Sequence, residues 1–465
     1  MDSSAGLLDL PDDLLKVIVE VYVKLAPPTI GRRAGWLTLT WICRRLRYVV
    51  CGMPRLFAEH YTEYPGAQEV FRTRSGDVPL WYHLTPLMPR MRSNPPLRDD
   101  KEIRRMTLIR QSADFASCSQ IWILRRGDVT EHLKRLVLYT SLTALEEIRA
   151  SVEYEQHNAY SFIREVNHPS FDGRLWAPKL LRAYFDSCWL PIVAFGLRVL
   201  SITWDDEANT PRPHALAIYY GLLMRHKDTL EDLTLSDALD SPPAPNDVAS
   251  FIAKPSFDEV RLPNLRRLVL SGCALSYMRL LGALVVPPTT TVQLFLDCEL
   301  LPDLASSLPL AVMTLLARLP VPTSAISAVK VVMVQTEDGL LDILVSGYVL
   351  PLDEVRLGRW YRPKVDEPAV CLGLLGLDSD AVEWVDEIAP ILRKLAAGVI
   401  VEGVAFDFPD WCYTDDEDWA QLFGCLPGVR TVRSVDRILE AIADTEDAGL
   451  VALSQRLAHC SGTTF

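Results

Sequence analysis

The feature that most constrains this chain is a short pattern, L-x-x-L-x-L, that recurs along most of its length. It stands at Leu133–Leu138, Leu197–Ile202, Leu230–Leu235 and Leu265–Leu270, with looser copies at Leu180–Phe185, Leu352–Leu357 and Val401–Phe406. Side chains alternate between the two faces of a strand, so the pattern turns its leucines to one buried face and the intervening residues outward. So short a strand with one apolar face is not stable alone, and such units are expected to stack and share a core. Helix-capable stretches at 214–226, 277–286 and 382–395 fall between copies. The fold class this predicts is α/β, with a largely parallel sheet and helices on its opposite face. Successive copies start 47, 17, 33, 35, 87 and 49 residues apart, whereas a regular array repeats every ~20–29. Two readings stand: an irregular solenoid, or leucine-rich strands without a common unit. Weak candidates at Val292–Leu296 and Ala328–Val332 lie in the longest gap.

The N-terminal stretch has a different period. Leu14, Leu15, Ile18, Val19, Tyr22 and Leu25 recur at three- and four-residue steps, which predicts an amphipathic helix. Pro11 suits its first turn, and Asp12 and Asp13 suit the positive end of its dipole. Pro27 and Pro28 stop it. A second apolar stretch, Trp36–Cys43, runs into Arg44–Cys51, and Pro54 ends that segment. Three short helices make a small core, so the apolar stripe is better satisfied by a partner. The expected organisation is a helical module at 8–60, a connector at 61–76 and the strand-and-helix region at 77–465.

Composition and charge narrow the chemistry. The 465 residues are 49% hydrophobic and 23% charged, an ordinary globular balance. Lys plus Arg is 47 against 60 for Asp plus Glu, a net charge of −13, which disfavours nucleic acid or an anionic membrane as partner. The charge is polarised: residues 1–110 carry 17 basic and 12 acidic side chains (+5), while residues 366–465 carry 6 and 19 (−13). Ten cysteines without a C-x-x-C pair predict free thiols in a reducing compartment. The first residues lack the basic and apolar regions of a secretion signal, and the expected location is cytoplasmic or nuclear. No phosphate loop, nucleophile elbow or paired-histidine helix occurs. Neither a cofactor nor a metal is expected. The cluster Asp407, Asp410, Asp415, Asp416, Glu417 and Asp418 lacks the spacing of a calcium loop, and an exposed acidic loop is the reading it receives.

Two resemblances bear on function. Leu10-Pro11-x-Asp13-Leu14-Leu15-x-x-Ile18-Val19, followed by Ile42-Cys43-Arg44-x-Leu46-Arg47, resembles the F-box motif. Val19 stands where that motif has Phe, and Leu46 where it has Trp. Met53–Phe57 is similar to the run that follows F-boxes in large fungal families, as are Arg74–Leu80, Ala177–Leu180 and Pro287–Val292, in the same order. The strand pattern resembles leucine-rich repeats, whose Asn or Cys position is matched by Cys188 and Cys273.

The F-box resemblance implies a non-catalytic subunit that docks on the Skp-type adaptor of a cullin–RING ubiquitin ligase core. Its implied adaptor contacts are Leu10, Pro11, Leu14, Leu15, Ile18 and Val19, then Ile42, Cys43 and Leu46. The repeat face would hold a target protein. Outward strand positions rich in the residue types favoured at hot spots are the candidates: Arg135, Tyr139, Arg182, Tyr184, Asp186, Arg267 and Asp407. The competing expectation is an interaction scaffold that never meets a ligase.

Overall fold

The computed structural model describes residues 10–26, 35–62, 64, 67–84, 115–124, 141–151, 174–204, 216–239, 258–297, 328–335, 340–348, 370–378, 384–396, 401–407, 421–426, 429 and 431–433. The copies at 133–138 and 352–357, with Arg135 and Tyr139, lie outside them, as do Asp410, Asp415, Asp416, Glu417 and Asp418. The chain is mixed α/β, with a large, mostly parallel sheet and an N-terminal helical region. It divides into two compact units, Met1–Leu197 and Arg198–Phe465.

In the first unit, α1 (Asp12–Leu25) is followed by a 3-10 turn (Gly35–Thr38), α2 (Leu39–Ile42), α3 (Arg44–Cys51), α4 (Pro54–Glu59) and α5 (Gln68–Ser75). Pro54 both follows the end of α3 and opens α4, since a residue without an N–H fits a first helical turn. The stretch expected to be a connector carries α5, which packs on α4. Phe71 of α5 lies 5.4 Å from Phe57 and 6.1 Å from the fully buried Trp36, ring to ring. This aromatic cluster explains why the helical region extends past residue 60. Thr62 then joins it to the sheet, its hydroxyl donating to the His83 carbonyl at 2.7 Å.

Strands β1 (Leu80–Leu84), β2 (Cys118–Leu124), β3 (Glu147–Ser151) and β5 (Arg182–Asp186) pair in that order, all parallel. The short strands β4 (Leu175–Trp176) and β6 (Ile192–Val193) form a separate parallel pair.

The second unit comprises β7 (Val199–Thr203), α6 (Leu216–His226), β8 (Asp232–Ser236), β9 (Val260–Arg261), β10 (Arg267–Cys273), α7 (Ala274–Ala283), β11 (Leu284–Val285) and β12 (Thr291–Asp297). These are followed by β13 (Ala328–Gln335), β14 (Leu340–Tyr348), β15 (Val370–Asp378), α8 (Trp384–Ala396), β16 (Gly403–Asp407) and β17 (Thr431–Arg433). Strands β7, β8, β10 and β12 pair in parallel in chain order. Beyond β12 the order changes: β15 lies beside β12, then β14, β13, β16 and β17. Only β14 runs against its neighbours, because β13–β14 and β14–β15 are antiparallel pairs. A largely parallel sheet is therefore observed, with one reversed strand that the leucine pattern did not announce.

The alternation holds in the copies at 180–185, 197–202, 230–235 and 265–270, whereas in the copy at 401–406 Gly403 and Ala405 are buried as well as Val404 and Phe406. Leu200, Ile202, Leu233, Leu235, Leu268 and Leu270 are all buried, while Val199, Asp232, Thr234, Arg267 and Val269 on the other face are half-buried. Several copies also share their entry or their exit. Leu180 N–H donates to Ala177, and Leu265 N–H to Leu262, closing a turn before the strand. Ser187 (φ 55°) just after β5, Asp237 (φ 51°) just after β8 and Gly272 (φ 122°) within β10 take positive φ at the same position of the pattern, seven residues past its first leucine. A Cβ on Gly272 would lie 2.6 Å from Asp237 Oδ1, so only glycine fits where these two turns meet.

Leu268→Ala should therefore cost ~2–5 kcal/mol through a core cavity, and Gly272→Ala ~1–3 kcal/mol through backbone strain. Arg267→Ala, on the half-buried face of the same strand, should change stability by at most ~0.5–1 kcal/mol. Thermal melting of the three variants checks the order; equal losses from Leu268→Ala and Arg267→Ala would refute the assignment of faces.

Candidate functional site

Two surfaces gather the residues expected from sequence, both in the first unit. The first is on the helical module. Along α1, Leu15, Val19 and Val23 repeat every fourth residue and face the interior, where Leu46, Val49 and Val50 of α3 are also buried. The neighbouring stripe, Leu14, Val17, Ile18, Val21 and Leu25, is exposed, as are Trp41 and Ile42 of α2. Leu14 is 51% exposed, Trp41 67% and Ile42 64%, values at which a monomer gains nothing from these side chains. The implied adaptor set is thus split. Leu14, Ile18 and Ile42 are exposed with Pro11, while Leu10 and Cys43 are half-buried and Leu15, Val19 and Leu46 pack inside.

Local chemistry fixes this arrangement. Cys43 caps α3, its Sγ accepting from Leu46 N–H at 3.4 Å. Arg45 donates from Nη2 to the Leu10 carbonyl at 2.6 Å and to Asp12 Oδ1 at 2.9 Å. It ties α3 to the start of α1, and Asp12 sits where a carboxylate favours the helix dipole. Arg47 Nε donates to the Thr40 carbonyl at 2.7 Å, fixing α2 against α3. Arg45 and Arg47 thus serve the internal geometry of the module.

The second surface is the outward face of β1, β2, β3 and β5. In-register pairing aligns His83, Trp122, Arg149 and Tyr184 in one row across the four strands. The His83 and Trp122 rings stack at 4.1 Å and 11°. The Arg149 guanidinium lies 4.5 Å from the Trp122 ring and 4.5 Å from the Tyr184 ring, between the two. The adjacent row brings Gln120, Glu147 and Arg182 together. Buried Glu147 accepts from Trp122 Nε1 at 3.1 Å, Arg149 Nε at 2.7 Å and Arg182 Nε at 2.6 Å. On the other side of the aromatic row, Asp186 Oδ2 accepts from the Ser151 hydroxyl at 2.7 Å.

Arg182, Tyr184 and Asp186 are therefore on this face. Arg267 is in the second unit, 3.8 Å from Asp232 Oδ2, and Asp407 is the last residue of β16. Glu147 and Arg149 were missed in sequence. Their strand is preceded by Leu145 and carries Ile148 and Ala150 inward, an L-x-x-I-x-A copy whose last position is too small to be recognised. Trp122 had no such signal, since β2 lacks the leading leucine.

Among the described residues, no group of three or more His, Cys, Asp or Glu is placed to hold a metal ion. No helix among them is long and apolar enough to cross a membrane. Burial pushes the Cys188 thiol pKa up, and its Sγ donates to the Ala150 carbonyl at 3.4 Å, so it is a packing residue rather than a nucleophile. No protein-family model matches the chain, and comparison with curated proteins and with solved structures returns no match.

Burial lowers the pKa of His83 in this row, and of His226 at the end of α6, to about 4. Unfolded histidine takes its proton near ~6.5, so both contribute stability above that pH that is lost as pH falls toward 4. Each should give a slope of up to ~1.4 kcal/mol per pH unit in that window. Melting temperatures between pH 7.5 and 4.5 test this, and His226→Leu, which removes a ring with no hydrogen-bond partner, should flatten its share of the acid decline.

Proposed function

We propose that the chain is a non-catalytic substrate-recognition subunit of an SCF-type, cullin–RING ubiquitin ligase. In this reading the helical module docks on a Skp-type adaptor, and the outward strand face holds the target protein. The observation that carries it is the exposed apolar stripe of Leu14, Val17, Ile18, Val21 and Leu25 along α1, with Trp41 and Ile42 of α2 exposed as well. The module buries a complete second stripe of its own, so the outer one has no role in its core, and an apolar stripe left exposed along a helix is the mark of a protein contact. Its residues include three that the F-box resemblance assigns to the adaptor.

The proposal includes an irregular leucine-rich-repeat-like solenoid. Support comes from the sequential parallel pairing of β7, β8, β10 and β12, from the same turn before β5 and β10, and from a positive-φ residue at one position of the pattern in the copies of β5, β8 and β10. Such a subunit acts by raising the target's concentration near the ubiquitin-loaded enzyme, which needs no catalytic group of its own.

Leu14→Asp and Ile42→Asp should leave the melting temperature unchanged and weaken adaptor binding about thirtyfold or more, the loss of a ~2 kcal/mol hot spot. Leu15→Asp should instead unfold the module, because that side chain is fully buried. Calorimetry of the full chain with purified adaptor reads all three. If the wild-type protein and adaptor do not associate at micromolar concentration, the scaffold reading replaces this one.

A further inference from the structure

We infer that the Glu147–Arg149–Arg182 cluster binds a single carboxylate of an extended peptide, flanked there by apolar or aromatic residues. This deepens the target-capture half of the proposed function and stands apart from its adaptor half.

The cluster is built from the inside. Glu147 has only 5% of its side chain exposed and holds one guanidinium on each carboxylate oxygen, both through Nε. Those guanidiniums remain accessible, with 40% of the Arg149 side chain and 42% of the Arg182 side chain exposed. Both faces of the Arg149 guanidinium are covered, by Trp122 and by Tyr184. What Arg149 offers to solvent is the edge that carries its Nη atoms. The Arg149 and Arg182 Nη donors have no acceptor among the described residues, and their positions are fixed by the Nε bonds to buried Glu147 and, for Arg149, by the flanking rings. Preorganised guanidinium edges are the geometry that recognises a planar oxyanion.

Charge selects the ligand. Two arginines less one glutamate leave a local charge of +1, which a single carboxylate neutralises. Asp186, two rows along β5 from Arg182, and the exposed Glu146 confine that positive region. A phosphate dianion or a run of acids meets these carboxylates, and the chain's net charge of −13 opposes a nucleic acid. Around the cluster lie the rings of Trp122, His83 and Trp81, the last two 5.4 Å apart. They suit apolar or aromatic neighbours of the acid, and side-chain rows that run across β1, β2, β3 and β5 suit an extended chain.

The test uses the full chain and fluorescein-labelled peptides with blocked ends: one glutamate between leucine and tyrosine, its glutamine twin, and its phosphoserine twin. Anisotropy should show saturable binding of the glutamate peptide, at least about tenfold weaker for the glutamine twin and weaker as salt rises. Arg182→Gln should lose about tenfold, and Arg149→Gln should do the same; because each also removes an Nε bond to buried Glu147, binding is read at a temperature at which melting curves show every variant folded. Arg261→Gln, which removes an exposed arginine of β9 paired with Glu259, should bind like wild type. Absence of saturable binding, equal binding of the glutamate and glutamine twins, tighter binding of the phosphoserine twin, or an unaffected Arg182→Gln would each overturn the proposal. Adaptor binding measured on the same preparations separates its failure from failure of the ligase reading.

Discussion

In-register parallel pairing is the constraint on which the rest of this structure depends. Leu200, Leu233, Leu268 and Val292 are successive partners, as are Ile202, Leu235, Leu270 and Leu294. A slip of one residue would turn every one of these side chains to the wrong face, and the burial at stake is ~1.5–3 kcal/mol for each. Register is therefore set by the leucines, and the outward residues inherit it. Polar side chains that share no local sequence relationship become rows because the apolar ones behind them cannot move. The row His83, Trp122, Arg149 and Tyr184 is a by-product of that arithmetic, drawn from strands separated by tens of residues.

Parallel strands also explain why the spacing between copies is irregular while the copies themselves are alike. A parallel neighbour is reached only by a crossover, and the crossover is free to vary provided that its ends meet the strand. Between β7 and β8 it contains α6, and between β10 and β12 it contains α7 and β11. The ends do not vary: Glu231 and Asp232 donate to the Arg198 carbonyl, and Arg266 and Arg267 donate to the Glu231 carbonyl. Backbone bonds of this kind impose no residue type. Their repetition is visible only in three dimensions.

The sequence was legible where one face of an element dominates its chemistry. The α1 helix, the strands β5, β7, β8, β10 and β16, and the helices α6, α7 and α8 all fall on stretches whose apolar period is clear. It was illegible where tertiary contacts decide. Helix α5 has little apolar periodicity, and Phe71 orders it by packing into the Trp36–Phe57 cluster. Strand β3 ends its pattern on Ala150, a residue too small to mark a core position, although it is 2% exposed. The reversal of β14 depends on which neighbour β15 meets, which is β12 from far back in the chain. On the helical module, period alone could not say which of two adjacent stripes faces inward. Leu14 and Leu15 are neighbours of one type, and the docking of α3 through Arg45 decides between them.

The same decision shows how a small domain holds an apolar face in readiness. Exposing Leu14, Ile18 and Ile42 earns no stability for the module, so its fold must come from other groups. The inner stripe, the Trp36 cluster and the Arg45 ties supply it. On the strand face the division of labour is parallel: the Glu147 oxygens hold two arginine Nε atoms and Trp122 Nε1, and the outer guanidinium edges meet no acceptor among the described residues. In both places a buried set of contacts fixes the backbone and side-chain geometry of an exposed set. Little conformational entropy then remains for the exposed groups to lose when a partner covers them, which is what separates a preorganised surface from one that is merely apolar or charged.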